Sequence, residues 1–353
     1  MYVPAKGGEV AITRSLEALA RARRGDPDVP ELTVAQIREQ MRGAVDRVMT
    51  EGALYDRDLA ALALKQAQGD LSEATFLLRA HRATLRRMGH CEPIEFTDIC
   101  LDRHISATTK ELAGGQILGA TYDYTHRLLD FSLMGARPCA GRSVVDEELQ
   151  VESGFDQEPA VLRPHTSSYH DLLVPPDCEP SGNRDHEPVD ITRVPIRPPY
   201  GPSETLGHLV RGEEGFLTGI AYTRLRTAGA SHPYVEELSA GQVEILVELE
   251  DLGLTVSIGD IDITICRMVA PALDGKQSHL SPGFGVAFGT NERKAVAMAT
   301  VDQALKAGLD PELVLSHSDG VEAAGYVSHL KLPHYSDFQS DLELIRRARS
   351  THE

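Results

Sequence analysis

Between residues 243 and 258 an apolar side chain occupies every second position. Val243, Ile245, Val247 and Leu249 form one run and Leu254, Val256 and Ile258 another, with Asp251-Leu252-Gly253 between them. Successive side chains of an extended chain point to opposite faces, so a period of two fits a half-buried strand and no helix. The short break ending in glycine makes a β-hairpin of the two runs. Ile261, Ile263 and Ile265 carry the pattern on as a further strand. Whatever else the chain does, it has to fold around an antiparallel sheet.

The stretch before the sheet has a different period. Val34, Ile37, Met41, Val45 and Val48 recur at three- and four-residue spacing, after Thr33-Val34-Ala35-Gln36 in capping-box form. Asp56 caps a helix ended near Gly69. Ser72 opens another, with Arg82, Arg86 and Arg87 toward its C-terminal end, where cations suit the helix dipole and need no ligand to explain them. Ile94 to Ile105 reads as one or two strands and Asp123 to Met134 as a helix. Residues 136–202 hold 11 of the 20 prolines with little apolar periodicity, which reads as a long loop or arm. Helices follow over Ser203–Arg211 and Gly215–Arg226, then the sheet, then helices capped by Asn291, Asp319 and Ser336. The order gives an α+β fold: an N-terminal helical region (1–92), a strand-loop-helix segment (93–135), a Pro-rich central insertion (136–202), and a C-terminal region (203–353) with a mostly antiparallel sheet and flanking helices.

Charge narrows the partners. The net charge of −18 opposes general nucleic-acid binding, which needs a positive field. It leaves room for a small anion in a local basic pocket. Seven of the 35 basic residues are lysine; the arginine excess fits phosphate recognition, but more simply reflects coding bias. The five cysteines are scattered and odd in number, with no CxxC pair, which fits reduced thiols. No apolar run is long enough to span a membrane and the N-terminus has no signal-peptide core, so a cytoplasmic protein is expected.

Three segments carry chemistry. Gly283-x-Gly285-x-x-x-Gly289 leads into a helix with Arg293 and Lys294 in its first turn, a place that attracts phosphate. Strand glycines more often mark bulges or close backbone contacts. Asp123, His126 and Asp130 are helical neighbours within Tyr122-Asp123-Tyr124-Thr125-His126-Arg127, an arrangement that can orient an imidazole or be an ordinary polar face. His329 and His334 stand five apart with Pro333 just before the second, so the span between them bends and can turn both rings to one point, with His317 and Asp319 not far back. Lys6-Gly7-Gly8-Glu9 reads as a plain turn before a helix rather than a second anion nest.

Several segments taken together closely resemble one family. They are Met1-Tyr2-Val3 with Lys6-Gly7-Gly8-Glu9, Ala44-Val45-Asp46-Arg47-Val48-Met49-Thr50-Glu51-Gly52, Leu59 to Ala67, Tyr122 to Phe131, Asn291-Glu292-Arg293-Lys294-Ala295, and Val321 to Tyr335. The family is PhnI, a core subunit of bacterial carbon–phosphorus lyase, and the similarity runs to about residue 345, weakest over 136–202. The resemblance implies a subunit that acts with PhnG, PhnH and PhnL to displace adenine from MgATP by a phosphonate, giving a ribose 1-phosphonate 5-triphosphate. It implies purine nucleosidase activity on ATP or GTP when alone. It also implies a dimeric centre for a complex containing PhnJ and the ATPase-type PhnK and PhnL. In the family the His-x-x-x-x-His pair binds a metal, zinc by expectation; here it is His329 and His334. With Mg²⁺ accompanying the triphosphate, Arg293 and Lys294 are the expected cationic clamp, and Asp123 and His126 the expected proton-transfer groups. The alternatives are a non-catalytic scaffold whose active groups lie at interfaces with PhnG, PhnH and PhnJ, and a free-standing metallohydrolase.

Overall fold

The computed structural model describes residues 8–110, 112, 115–134, 172–173, 189–194, 197–227, 232–249, 253–273 and 278–351. Most of the Pro-rich insertion lies outside the described residues, as do Lys6-Gly7, Gly114 and Asp251-Leu252 of the hairpin turn. The fold is α+β.

The chain opens with α1 (Gly8–Arg24), which buries no residue. In front of α2 (Val34–Gln40), the Gln36 amide N–H donates to Thr33 Oγ1 at 3.2 Å, and the Thr33 N–H donates to Gln36 Oε1 at 2.9 Å, the reciprocal cap read from sequence. The single helical face expected from Val34 to Val48 is broken. Met41 leaves helical backbone at φ −116 and ψ 39, and α3 (Arg42–Gly52) starts anew. The spacing misled because Ile37, Val45 and Val48 are all buried despite the break. Asp56 caps α4 (Arg57–Gln66), accepting from the Leu59 N–H at 2.8 Å. Asp70, not Ser72, starts α5 (Leu71–Arg82), accepting from the Glu73 N–H at 3.1 Å.

After β1 (Cys100–Ile105), the helix expected over Asp123–Met134 is absent. A turn closes from the Thr125 N–H to the Tyr122 carbonyl, Arg127 takes a left-handed φ of 54, and only Phe131–Met134 forms a short 3-10 turn. Leu128, Leu129, Phe131 and Leu133 are exposed, so no buried face compensates helix nucleation there.

Then come α6 (Pro202–Arg211), with proline in its first turn, and α7 (Glu214–Thr227). The strands β2 (Tyr234–Leu249), β3 (Leu254–Leu273) and β4 (Ser278–Phe288) follow. The sheet order is β1-β2-β3-β4, antiparallel throughout. Val247 pairs with Val256 and Leu249 with Leu254, as the hairpin requires. The further strand expected from Ile261 is part of β3: the pairing continues from Ser257 through Asp260 and Ile261 after a register shift, so no turn separates them. Last come α8 (Glu292–Lys306), α9 (Pro311–Leu315), α10 (Gly320–His329) and α11 (Tyr335–Ser350). Asn291 and Asp319 cap α8 and α10 as expected; α11 begins ahead of Ser336, with His334 at its cap position and no side-chain cap bond.

Two compact units result, each assembled from separate stretches of chain. The first takes Met1–Leu85, Asp190–Phe216 and Asp310–Glu353, the second Arg86–Val189 and Leu217–Leu309. In the first, Val45, Val48, Met49, Ala60, Leu64, Ala74 and Leu78 from α3, α4 and α5 are buried. In the second, Leu238, Cys266 and Met268 of the sheet form a core with Ala295 and Ala299 of α8. A second core cluster joins Ile99, Val243, Ile245, Ile263 and Ile265. A Cβ on Gly283 or Gly285 would collide with the carbonyl oxygens of Ala299 and Ala295 respectively. The Gly-x-Gly of β4 is thus a packing device: it lets α8 lie on the strand backbone to backbone.

Candidate functional site

In the second unit, polar groups converge where α8 begins. The Asn291 N–H donates to Thr264 Oγ1 at 3.1 Å, and that hydroxyl donates to the Gly289 carbonyl at 2.6 Å. Asn291 Oδ1 accepts the Lys294 N–H at 3.2 Å. The residue is only 9% exposed, yet its Nδ2 has no acceptor among the described residues. Such a buried orphan donor costs about 1–3 kcal/mol unless a ligand or water meets it.

Arg103 of β1, 3% exposed, is the hub. Its Nη2 lies 2.6 Å from Asp123 Oδ2 and its Nε 2.5 Å from Glu292 Oε1, while Nη1 donates to the Leu118 carbonyl. Two carboxylates therefore share one guanidinium. Burial pushes the Glu292 carboxyl up, Arg103 opposes that, and the nearby Asp123 charge adds to it, so Glu292 titrates above its ordinary value. The loop bearing Asp123 is fixed by paired backbone bonds between His104 and Ile117, at 2.8 and 2.7 Å. Beneath it the His104 ring meets Glu237 at 3.1 Å, and Arg267 pairs with the same carboxylate at 2.9 Å. Burial would raise the Glu237 carboxyl, but the His104 hydrogen bond and the Arg267 charge together bring it below its ordinary value.

Asp123 is thus joined through Arg103 to the start of α8, where Arg293 and Lys294 also stand. Arg293 is exposed and Lys294 wholly buried. His126 is exposed on the loop.

His329 and His334 belong to the first unit. His329 ends α10 and His334 precedes α11, and their ring centroids are 4.5 Å apart in an edge-on arrangement. His334 Nδ1 is 3.2 Å from Asp337 Oδ2 and its Nε2 is 3.3 Å from the His329 carbonyl. Neighbouring imidazoles are ligands of the kind zinc takes, though His334 would have to exchange one of these two contacts for the metal. Among the described residues no group of three or more histidine, cysteine or acidic side chains is arranged to hold a metal, so other ligands would have to complete the shell.

A family model described as bacterial phosphonate metabolism protein (PhnI) matches residues 1–352. The chain belongs to the PhnI family. It is 47% identical over 363 residues to the alpha-D-ribose 1-methylphosphonate 5-triphosphate synthase subunit PhnI of Escherichia coli, covering 98% of each chain. It is 45% identical over 366 residues to the subunit of the same name from Rhizobium meliloti, covering all of this chain and 96% of the other. A putative C-P lyase subunit, HtxH, from Stutzerimonas stutzeri is 38% identical over 361 residues, covering 98% of this chain and 95% of that protein.

In this PhnI-family chain, sequence reasoning missed Arg103, Asn291 as a donor, and Glu292. Arg103 had a signal: Asp102-Arg103-His104 puts three polar residues in a row inside a strand, which a buried sheet accepts only when they are paired. Glu292 lies inside a motif already noticed, but its environment is tertiary.

Proposed function

We propose that this chain is the PhnI subunit of an alpha-D-ribose 1-methylphosphonate 5-triphosphate synthase, and that it displaces adenine from MgATP by a phosphonate within a carbon–phosphorus lyase complex. The carrying observation is near-full-length identity of 45–47% with two subunits of that name. The partners would be PhnG, PhnH, PhnJ, PhnK, PhnL and a second copy of this chain. Among the described residues no helix is long and apolar enough to cross a membrane.

The chemistry has a place at the start of α8. The bond from the anomeric carbon to the purine nitrogen breaks with its electron pair going to the base, through an oxocarbenium-like state. Glu292, whose carboxyl burial raises, gives the leaving base its proton. Asp123, paired with Arg103 at 2.6 Å, faces the developing positive charge and holds the Arg103–Glu292 arrangement in place. The phosphonate oxygen then bonds the anomeric carbon. Asn291 Nδ2 offers a fixed donor to an anionic oxygen or a base acceptor. Arg293 and Lys294 add positive charge at the same helix end, and His126 is the exposed alternative for proton transfer. Mg²⁺ would neutralise triphosphate oxygens. His329 and His334 would hold zinc, which would supply a Lewis-acid centre.

Purified full-length chain incubated with MgATP, with adenine followed by chromatography, tests the reading. Base release that falls at least a hundredfold in Glu292→Gln supports it. No release above the variant's background, alone or with partners added, removes this chain from the chemistry and leaves a scaffold.

A further inference from the structure

In the first unit, four guanidinium groups from three segments surround one cavity of about 600 Å³: Arg79 and Arg82 of α5, Arg211 at the end of α6, and Arg193 beside Thr192. We propose that this cavity is an oligophosphate site, taking a di- or triphosphate chain, free or carried on a nucleotide, with Arg82 and Arg211 as its principal contacts. The inference does not depend on the transfer reaction proposed above.

Two of the four arginines are already committed to the fold. Arg79 donates to the Glu51 carbonyl at 2.9 Å, to the Arg211 carbonyl at 3.0 Å, and to both Asp319 oxygens at 2.7 and 2.6 Å. Arg193 lies 3.4 Å from Asp190, whose carboxylate also accepts from the Thr192 hydroxyl at 2.6 Å. The guanidinium groups of Arg82 and Arg211 have neither an ion-pair nor a hydrogen-bond partner among the described residues. A purely structural cluster would pair its partly buried cations, because an unpaired one costs desolvation with no return.

Arg211 bears that cost visibly. Burial, then the like charge of Arg79, pull its guanidinium down to about 10; Arg82 adds to this, and Asp319 and Asp190 only partly offset it. The imbalance is of the kind an arriving anion relieves. Helix dipoles account for cations at the ends of α5 and α6 one at a time, but not for their convergence on a common space in a chain of net charge −18.

Geometry favours phosphate over a single carboxylate. Each guanidinium presents a planar fork that matches phosphate oxygens two at a time. Forks arriving from three segments suit a ligand with oxygens on several sides. The volume lies within the range of small-ligand pockets and exceeds what one carboxylate needs.

Calorimetric titration of the full-length chain with inorganic triphosphate tests this. A saturable site is expected that becomes at least tenfold weaker in the Arg82→Gln, Arg211→Gln double variant, with an unchanged melting temperature. Absence of saturable binding to the parent, a double variant within twofold of it, or equally tight binding of citrate would each overturn the proposal. If the double variant melts lower, Arg82→Gln alone decides: at least threefold weakening upholds the site and unchanged affinity overturns it. A parallel MgATP titration of the parent and the double variant separates the sources, since MgATP affinity lost together with triphosphate affinity marks a nucleotide's phosphates and MgATP affinity kept in the double variant marks free oligophosphate. Glu292→Gln should keep the triphosphate affinity even where base release is lost, so failure of the catalytic reading would leave this one standing.

Discussion

Asp319 and Glu292 are carboxylates displaced in opposite directions. Burial works to raise Asp319, but the Arg79 ion pair and the Glu322 N–H outweigh it and hold the carboxyl below its ordinary 3.8. The ionised form is therefore the one the fold prefers. Its stabilisation is complete above that ordinary value and disappears as pH falls through the lower, folded-state one. Asp319→Asn should cost about 1–2 kcal/mol at neutral pH, after allowance for partial exposure, by loss of the ion pair alone, because the asparagine oxygen still caps α10; a urea titration reads it, and a change below 0.5 kcal/mol, roughly, would deny the pair any role. Glu292 behaves conversely. Its raised value extends the protonated form to higher pH, so base release that needs this proton should fall as pH climbs past it. Glu292→Gln should abolish that limb of the pH–rate profile, and a limb that persists in the variant would move the proton donor elsewhere. Of these side chains only Asp319 was visible in sequence as a structural group, through its capping position. Arg79, Arg82 and Arg211 were not legible as a group, because α5 and α6 carry them more than a hundred residues apart.

At the level of elements, legibility followed local chemistry. The Thr33 capping box, the Asp56 and Asn291 caps and the β2–β3 hairpin were readable because a few neighbouring residues decide them. The Asp123–Met134 segment was not. Its composition permits a helix, but its apolar residues find no surface on which to bury, and the tie between His104 and Ile117 orders the preceding loop instead. The glycines of β4 had two readings, and the contact with α8 decides between them. Gly285→Ala should destabilise the second unit by about 1–3 kcal/mol, because the added methyl meets the Ala295 carbonyl oxygen rather than a side chain that can turn away. A thermal melt within a degree of the parent would mean that the helix can lift off the strand at no cost. Helices α1, α10 and α11 bury no residue of their own; exposed Tyr326, Leu330, Tyr335 and Phe338 surround the histidine turn. Exposure of that kind accords with membership of a larger assembly.

For the whole molecule, the strongest expectation concerns metal. Substituting both His329 and His334 by alanine should take bound zinc, measured by elemental analysis of the purified complex, from about one per chain to none. Folding should be unaffected, since neither ring lies in a core. Zinc that survives the double substitution would place the metal elsewhere. A longer consequence comes from the way α8 meets β4. Cushioned interfaces yield because side chains can swivel; at Gly283 and Gly285 carbonyl oxygens of α8 stand against bare α-carbons instead. Strand and helix must then travel together or stay put when substrate arrives. In the proposed site the floor carrying Asn291 and Glu292 would act as an anvil, and any adjustment to phosphonates of different bulk would fall to the thin ribbon that presents Asp123.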